Sequence, residues 1–336
     1  MSAAVSLPKH LPVVTNTELK TFRRCAREWK YAYKLRRRPI RRAESLRFGT
    51  LIHHALEAWW RAPADPNARL GAALAAIGAH VGEAECDAYD RVDAEELMLG
   101  YTARWGDDLA TPTAVEAQFD APLVNPATGA ESRTYRLSGK LDVVFPDRYM
   151  EHKTTSVDIE LGGDYWENVT ALDAQVSMYK VGARALGVDG PCTYDVIRKV
   201  SLRPKRATPV EKRQYTKTGS LYANQREHDE TPDEYRARVR ENIAENPARY
   251  YARGDLVRLA HDDEEHGADV WWTARSMREA ELQGRYPRNP DACIRYGRRC
   301  EYFEVCSGRA SIDDDTRFRT APDAHEELMA AEEVTF

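Results

Sequence analysis

Apolar residues recur along this chain first with a helical period and then with a strand period. Leu19, Phe22, Ala26, Trp29 and Tyr33 fall at helical spacing, with Lys and Arg filling the other face. Thr15 with Glu18 three residues on makes a capping box, so a helix is expected to start there and end before Pro39, after a flexible lead at 1–14. Residues 48–62 (FGTLIHHALEAWWRA) predict a second helix with Leu51, Ala55 and Trp59 inward and His53 and Glu57 on a shared face. Residues 66–108 read as helical. Residues 113–124 and 133–145 alternate apolar and polar around an N-P-A-T-G turn and predict paired strands. A hairpin at 139–153, a Gly-containing loop at 157–165, a helix at 166–187 and a strand at 191–199 follow. Residues 201–255 are polar and least legible, with a charged helix expected around 232–245; 256–283 predict one more strand and a helix. The sum is an α/β or α+β core, a mixed sheet of about five strands flanked by helices.

The hairpin GKLDVVFPDRYMEHK holds the densest chemistry. Two apolar runs flank Pro146 and Asp147, with Asp142 in the first and Glu151 and Lys153 in the second. Alternation puts Glu151 and Lys153 on one face and His152 on the other. Two carboxylates are hard oxygen ligands for a divalent cation, and an ammonium beside them can orient water or stabilise an oxyanion. A surface hairpin with an ordinary Glu–Lys pair fits the same short pattern. A lone helical His such as His53 is more often a structural residue than a ligand.

Charge adds an asymmetry. The net charge is −5, yet residues 18–47 hold 12 Lys/Arg against Glu18, Glu28 and Glu44. Residues 311–336 hold 8 Asp/Glu against Arg317 and Arg319, a balance of −6, which leaves the body at +1. A polyanion-binding face beside a solvating acidic tail is expected. No apolar run reaches membrane-spanning length and no signal peptide is evident, so a cytoplasmic protein is expected.

Cys293, Cys300 and Cys306 fall within 14 residues, in a loop with Gly and Pro nearby. Three thiolates leave a four-coordinate metal site one ligand short. Cys86 lies in an acidic helical stretch and Cys192 in an apolar strand, so Cys25 is the expected fourth. Spacing alone leaves an iron–sulfur cluster and zinc both open.

In order along the chain stand TELKTFRRCAREWKYAY, FGTLIHHALE, SGKLDVVF, EHKT, QVSMY and the three late cysteines. Together they resemble the RecB-type branch of the PD-(D/E)XK nuclease superfamily. They are most similar to its iron–sulfur members, the exonucleases of CRISPR adaptation and the nuclease domain of the AddB helicase–nuclease subunit. The resemblance implies one nuclease domain over 15–310, with a helical insertion at 66–108, an insertion at 201–285, the cysteine cluster at 287–308 and the acidic tail beyond.

It further implies Asp142, Glu151 and Lys153 as catalytic residues. His53, Asp142, Glu151 and the backbone carbonyl of His152 would hold Mg2+ or Mn2+, with Glu116 a weaker candidate nearby. Gln175 and Tyr179 would line the DNA path, and Arg23, Arg24 and Arg27 on the basic helix Lys20 to Arg42 would meet incoming phosphates. Cys25, Cys293, Cys300 and Cys306 would hold a 4Fe-4S cluster stapling the two ends of the domain. The family's E-x-K centre is usually apolar where this chain has His152. The activity implied is DNA exonuclease action on single strands or duplex ends. Without a G-x4-G-K-(S/T) phosphate loop, unwinding falls to a partner: a helicase, a recombinase or a CRISPR-adaptation protein. The alternative is a DNA-end-binding adaptor whose cluster fold serves docking.

Overall fold

A computed structural model describes residues 11–40, 44–82, 86–295 and 297–329. Val13–Val14 form a short strand, β1, running parallel to the later strand β4, so the expected flexible lead is ordered from residue 11. Residues 1–10 of that lead lie outside the described residues. The Thr15 side chain caps α1 (Asn16–Arg24) by accepting from the Glu18 N–H. The expected single helix is broken at Cys25, whose backbone is extended (φ −162°, ψ 114°), and resumes as α2 (Ala26–Trp29) and a π-turn at Lys30–Lys34. Apolar spacing conceals the break because one extended residue leaves the stripe intact. A short strand, β2 (Arg37–Pro39), ends this N-terminal run.

Three helices follow: α3 (Glu44–Arg61), α4 (Pro66–His80) and α5 (Ala88–Trp105). Strand β3 (Ala114–Val124) pairs antiparallel with β4 (Glu131–Val144), and β5 (Tyr149–Thr155) follows the Pro-Asp turn. The expected helix 166–187 is two helices, α6 (Asp164–Leu172) and α7 (Ala174–Ala185), because Asp173 is extended and caps α7 by accepting from the Gln175 N–H. Strand β6 (Cys192–Arg198), helix α8 (Pro232–Glu245) and strand β7 (Tyr251–Leu256) come next, then α9 (Ala260–Gln283). The last strand of the central sheet therefore ends at residue 256, where the sequence placed it between 256 and 283; the Gly254-Asp255 polar interruption masks a strand whose Tyr251 and Leu256 are buried.

The central sheet is mixed and six-stranded, with order β1-β4-β5-β6-β7 and β3 on the other edge of β4. Strand β4 divides one edge between two partners. Strand β1 takes Arg136 and Leu137, and β5 takes only Val143 and Val144. Residues 138–142 thus have no strand partner on that side. One face of the sheet packs against α1, α7 and α9, and the other against α3, α4, α5 and α8.

After α9 come the two-stranded hairpin β8 (Ile294–Arg295) and β9 (Arg298–Arg299), helix α10 (Phe303–Cys306), and β10 (Phe318–Thr320), which pairs antiparallel with β2. The expected solvating tail is instead a strap as far as residue 329; residues 330–336 lie outside the described residues. Its charges are committed internally. Arg37 donates to Ile312 O, Thr320 Oγ1 and Asp315 Oδ1 at 2.8–2.9 Å, Arg319 grips Glu326 with two nitrogens, and His325 Nε2 meets Glu18 Oε2 at 2.7 Å. The N-terminal run and the cysteine loop are also joined directly: Arg27 N–H donates to Pro287 O, Asn289 Nδ2 to Arg24 O, and Tyr302 OH to Arg37 O.

Helix α7 approaches the sheet at two glycines. A Cβ on either Gly139 or Gly182 would collide with the Phe119 ring, which is 1% exposed. Gly182→Ala should therefore destabilise the protein by about 1–3 kcal/mol through overpacking, read as a lowered denaturation midpoint. A midpoint equal to wild type would show that Phe119 can move.

Candidate active site

The unpaired stretch of β4 opens onto a cleft of ≈ 1950 Å³ whose lining includes His53, Glu57, Glu116, Lys140, Asp142, Lys153 and Tyr179. Each side chain arrives by a simple rule. His53 and Glu57 lie one turn apart on α3, as their spacing predicts. Lys140 and Asp142 alternate onto one face of β4, and Glu151 and Lys153 onto one face of β5.

Glu151 is the buried centre, at 2% exposure. Its Oε1 accepts from Lys153 Nζ and, at 2.8 Å, from Gln175 Nε2 on α7. Among the described residues its Oε2, which is buried, has no partner. Burial, with Asp142 adding repulsion, pushes the Glu151 carboxyl up to about 8. Burial works against the Lys153 charge, but Glu151 and Asp142 outweigh it and raise its pKa. Asp142 Oδ2 accepts the His152 main-chain N–H at 2.7 Å, and Oδ1 faces His53 Nδ1 at 3.9 Å. Burial lowers the His53 pKa against the pull of Asp142, keeping a neutral imidazole available as a ligand. An orphaned carboxylate oxygen beside a second carboxylate and a neutral imidazole is a donor set suited to a hard divalent cation.

Glu116 occupies the register position opposite Asp142, between the pairs Val115–Val143 and Ala117–Leu141, and its backbone is left-handed (φ 55°). A non-glycine residue held there stores strain of about 1–3 kcal/mol, which turns it out of the ladder beside the cleft. Burial and Asp142 push its carboxyl up to about 7, while Lys140 Nζ at 3.4 Å pulls the other way.

Tyr179 lines the cleft one turn beyond Gln175, edge-on to Phe119. The three candidate arginines lie elsewhere and are occupied within the chain. Arg23 Nε donates to Thr273 Oγ1, Arg24 pairs with Glu28, and Arg27 Nε donates to Tyr286 O. None lines the cleft; the basic face serves the N-terminal packing, and Arg41 and Arg42 lie outside the described residues.

Cys25, Cys293, Cys300 and Cys306 line one small cavity with Tyr302 and Phe303, all four half-buried free thiols. The helix break at Cys25 turns it to the late loop, and Cys300 N–H donates to Cys293 O at 2.8 Å across the base of the β8–β9 hairpin. Burial pushes the Cys300 thiol up to about 11 and raises Cys306. Cys192 is buried in the first core and Cys86 packs on the second, both away from this cavity. Among the described residues, no group of three or more His, Cys, Asp or Glu side chains is gathered tightly enough to hold a metal ion as it stands, at the cysteines or in the cleft.

Sequence reasoning missed two carboxylates. Asp173 caps α7 and accepts from Lys20 Nζ at 3.2 Å, which fixes the turn that delivers Gln175. Asp195, in the apolar strand CTYDVIR, meets His152 Nδ1 at 2.9 Å. A lone Asp among buried apolar residues was the available signal.

The sequence profile of the PD-(D/E)XK nuclease superfamily matches residues 14–307, and the chain belongs to that superfamily. No curated protein matches it. Superfamily members are nucleases that typically use Mg2+ or Mn2+.

Because the Glu151 carboxyl sits near 8, a cation entering at pH 7 must displace its proton. Mn2+ binding should release ~1 proton and weaken as pH falls below about 8, measurable by calorimetry in buffers of different ionisation enthalpy. Affinity that is flat with pH would place the cation away from Glu151.

Proposed function

We propose that the protein is a metal-dependent DNA exonuclease acting on single strands or duplex ends. The reading rests on one observation: Asp142, Glu151, Lys153, His53 and Gln175, separated by up to 122 positions, meet at the unpaired edge of β4. Asp142, Glu151 and His53 would hold Mg2+ or Mn2+, with the His152 carbonyl completing the set. When bound, the cation supplies Lewis acidity toward a phosphoryl oxygen and toward water. Lys153, tethered to Glu151, would orient the attacking water and stabilise negative charge developing on the phosphoryl oxygens. Gln175 holds the Glu151 carboxylate in position. Tyr179 offers its ring and hydroxyl to the passing strand from the cleft wall.

We assign the four cysteines to a 4Fe-4S cluster. Their donor set fits such a group in kind: four free, half-buried thiols around one cavity, drawn from both ends of the matched region. The cluster would add a covalent staple to the hydrogen bonds already joining Arg24, Arg27 and Arg37 to residues 287–302. A helicase, recombinase or CRISPR-adaptation protein is the class of partner that would supply an unwound strand.

Linear DNA labelled at the 5′ or 3′ end, incubated with Mg2+ or Mn2+, tests the activity. Short labelled products from one end are expected, with Asp142→Ala and Lys153→Ala slower by ~100-fold or more. DNA left intact by the wild type would defeat the nuclease reading, and equal cutting of closed circles would defeat its exonuclease part. Protein purified without oxygen should be brown and carry iron and sulfide, and Cys25→Ser should lose both. A colourless protein with stoichiometric zinc would replace the cluster by zinc.

A further inference from the structure

The side of β5 that faces away from the cleft carries a polar row where an apolar core is the cheaper choice. Parallel register sets His152 opposite Asp195, and antiparallel register sets Asp195 opposite Arg253, so the three side chains lie in line across β5, β6 and β7. His152 is 2% exposed and Asp195 1%. His152 Nδ1 lies 2.9 Å from Asp195 Oδ2, which also accepts from Tyr101 OH at 2.7 Å. Arg253 Nε donates to Asp195 Oδ1 at 3.1 Å and Nη2 to Tyr101 OH at 3.0 Å; Nη1 reaches Asp108 Oδ2 at 3.0 Å. Asp195 thus has both oxygens engaged by α5 and β7, and the imidazole is tied to a point that cannot shift. The His152 ring has no second attachment, since its Nε2 is buried without a partner.

Through the same residue the row reaches the cleft. The His152 main-chain N–H is the donor to Asp142 Oδ2, at the place where the β4–β5 ladder has ended. The ladder to β4 ends at Met150, and beyond it β5 is held from the β6 side, where His152 pairs with Asp195. The anchoring of the His152 side chain on Asp195 adds to the β6 ladder in setting where that amide points. We propose that His152 is a positioning residue: its Asp195-anchored imidazole fixes the amide that aims Asp142, and so sets the cation affinity of the Asp142–Glu151 pair. The inference rests on the reading of that pair as a cation site. It accounts for a histidine where the family pattern has an apolar residue. Buried polar groups that orient a ligand one bond-network away commonly change metal affinity by ~10–100-fold when lost.

Mn2+ affinity, measured by titration calorimetry without DNA, is the readout, alongside DNA affinity measured without divalent metal. His152→Leu keeps the volume and removes the tie; Mn2+ should bind ~10–100-fold more weakly while DNA affinity stays within about twofold. His152→Asn keeps a donor at the Nδ1 position and should restore Mn2+ affinity to within a few-fold of wild type. If the leucine variant does not fold, His152→Gln takes its place, since its amide shifts the donor away from Nδ1. Wild-type Mn2+ affinity in His152→Leu, or equal weakness in the leucine and asparagine variants, would overturn the proposal. A wild-type protein that binds no Mn2+ would defeat the cation site itself, and this inference with it.

Discussion

One carboxylate stands in for a strand pairing at the centre of this protein. Strand β4 is shared along one edge between β1 and β5, and in the interval its backbone groups have no ladder to join. Asp142 closes that interval by accepting the His152 amide, a donor that would otherwise be left without its strand partner. A hydrogen-bonded carboxylate at a splayed strand pair is both a structural tie and a ligand in waiting. One oxygen holds the sheet together and the other faces His53 across the cleft. Two regular, fully paired strands would have satisfied the backbone and left no opening.

The two faces of β5 then carry different work. Glu151 and Lys153 form a buried hydrogen-bonded pair on the cleft side, steadied by Gln175 from α7. His152 joins Asp195, Tyr101 and Arg253 on the other side. Breaking either set would leave an uncompensated buried charge, which costs more than the pair contributes. Helix α7 is placed by the Asp173 cap at its start and by Gly182 against Phe119 near its end. The position of Gln175 is therefore fixed by groups outside its own hydrogen bond to Glu151.

Much of this was legible in the sequence because it depends on period. The alternation of Glu151, His152 and Lys153, the pairing of 113–124 with 133–145, and the α3 face bearing His53 all follow from residue spacing. The Cys25 break was not legible, because an extended residue between two short helices preserves the apolar stripe. Asp173 was hidden similarly, inside what reads as one helix. The strap misled for a different reason: its acidic composition matches a solvated tail, whereas Asp315 and Glu326 are spent on Arg37 and Arg319. Composition counts charges without knowing their partners. Arg23, Arg24 and Arg27, which the resemblance assigns to incoming phosphates, have partners within the fold.

Charge also says what the cleft requires. Glu116, Asp142 and Glu151 stand with Lys140 and Lys153 in one part of a cleft whose wall also carries Glu57, Arg61 and Lys199; these five groups sum to −1 when all are ionised, and the lowered pKa of His53 adds no positive charge. A site with that balance repels a phosphodiester and holds its buried carboxylates only by protonating them, as the upward shifts of Glu116 and Glu151 record. Protonation relieves the repulsion but leaves nothing to attract an anion. A divalent cation does both, reversing the sign to +1 while supplying the partner that Glu151 Oε2 lacks. The excess of negative charge among these groups is thus the complement of a divalent cation, and a cation bound there in turn favours a phosphate beside it.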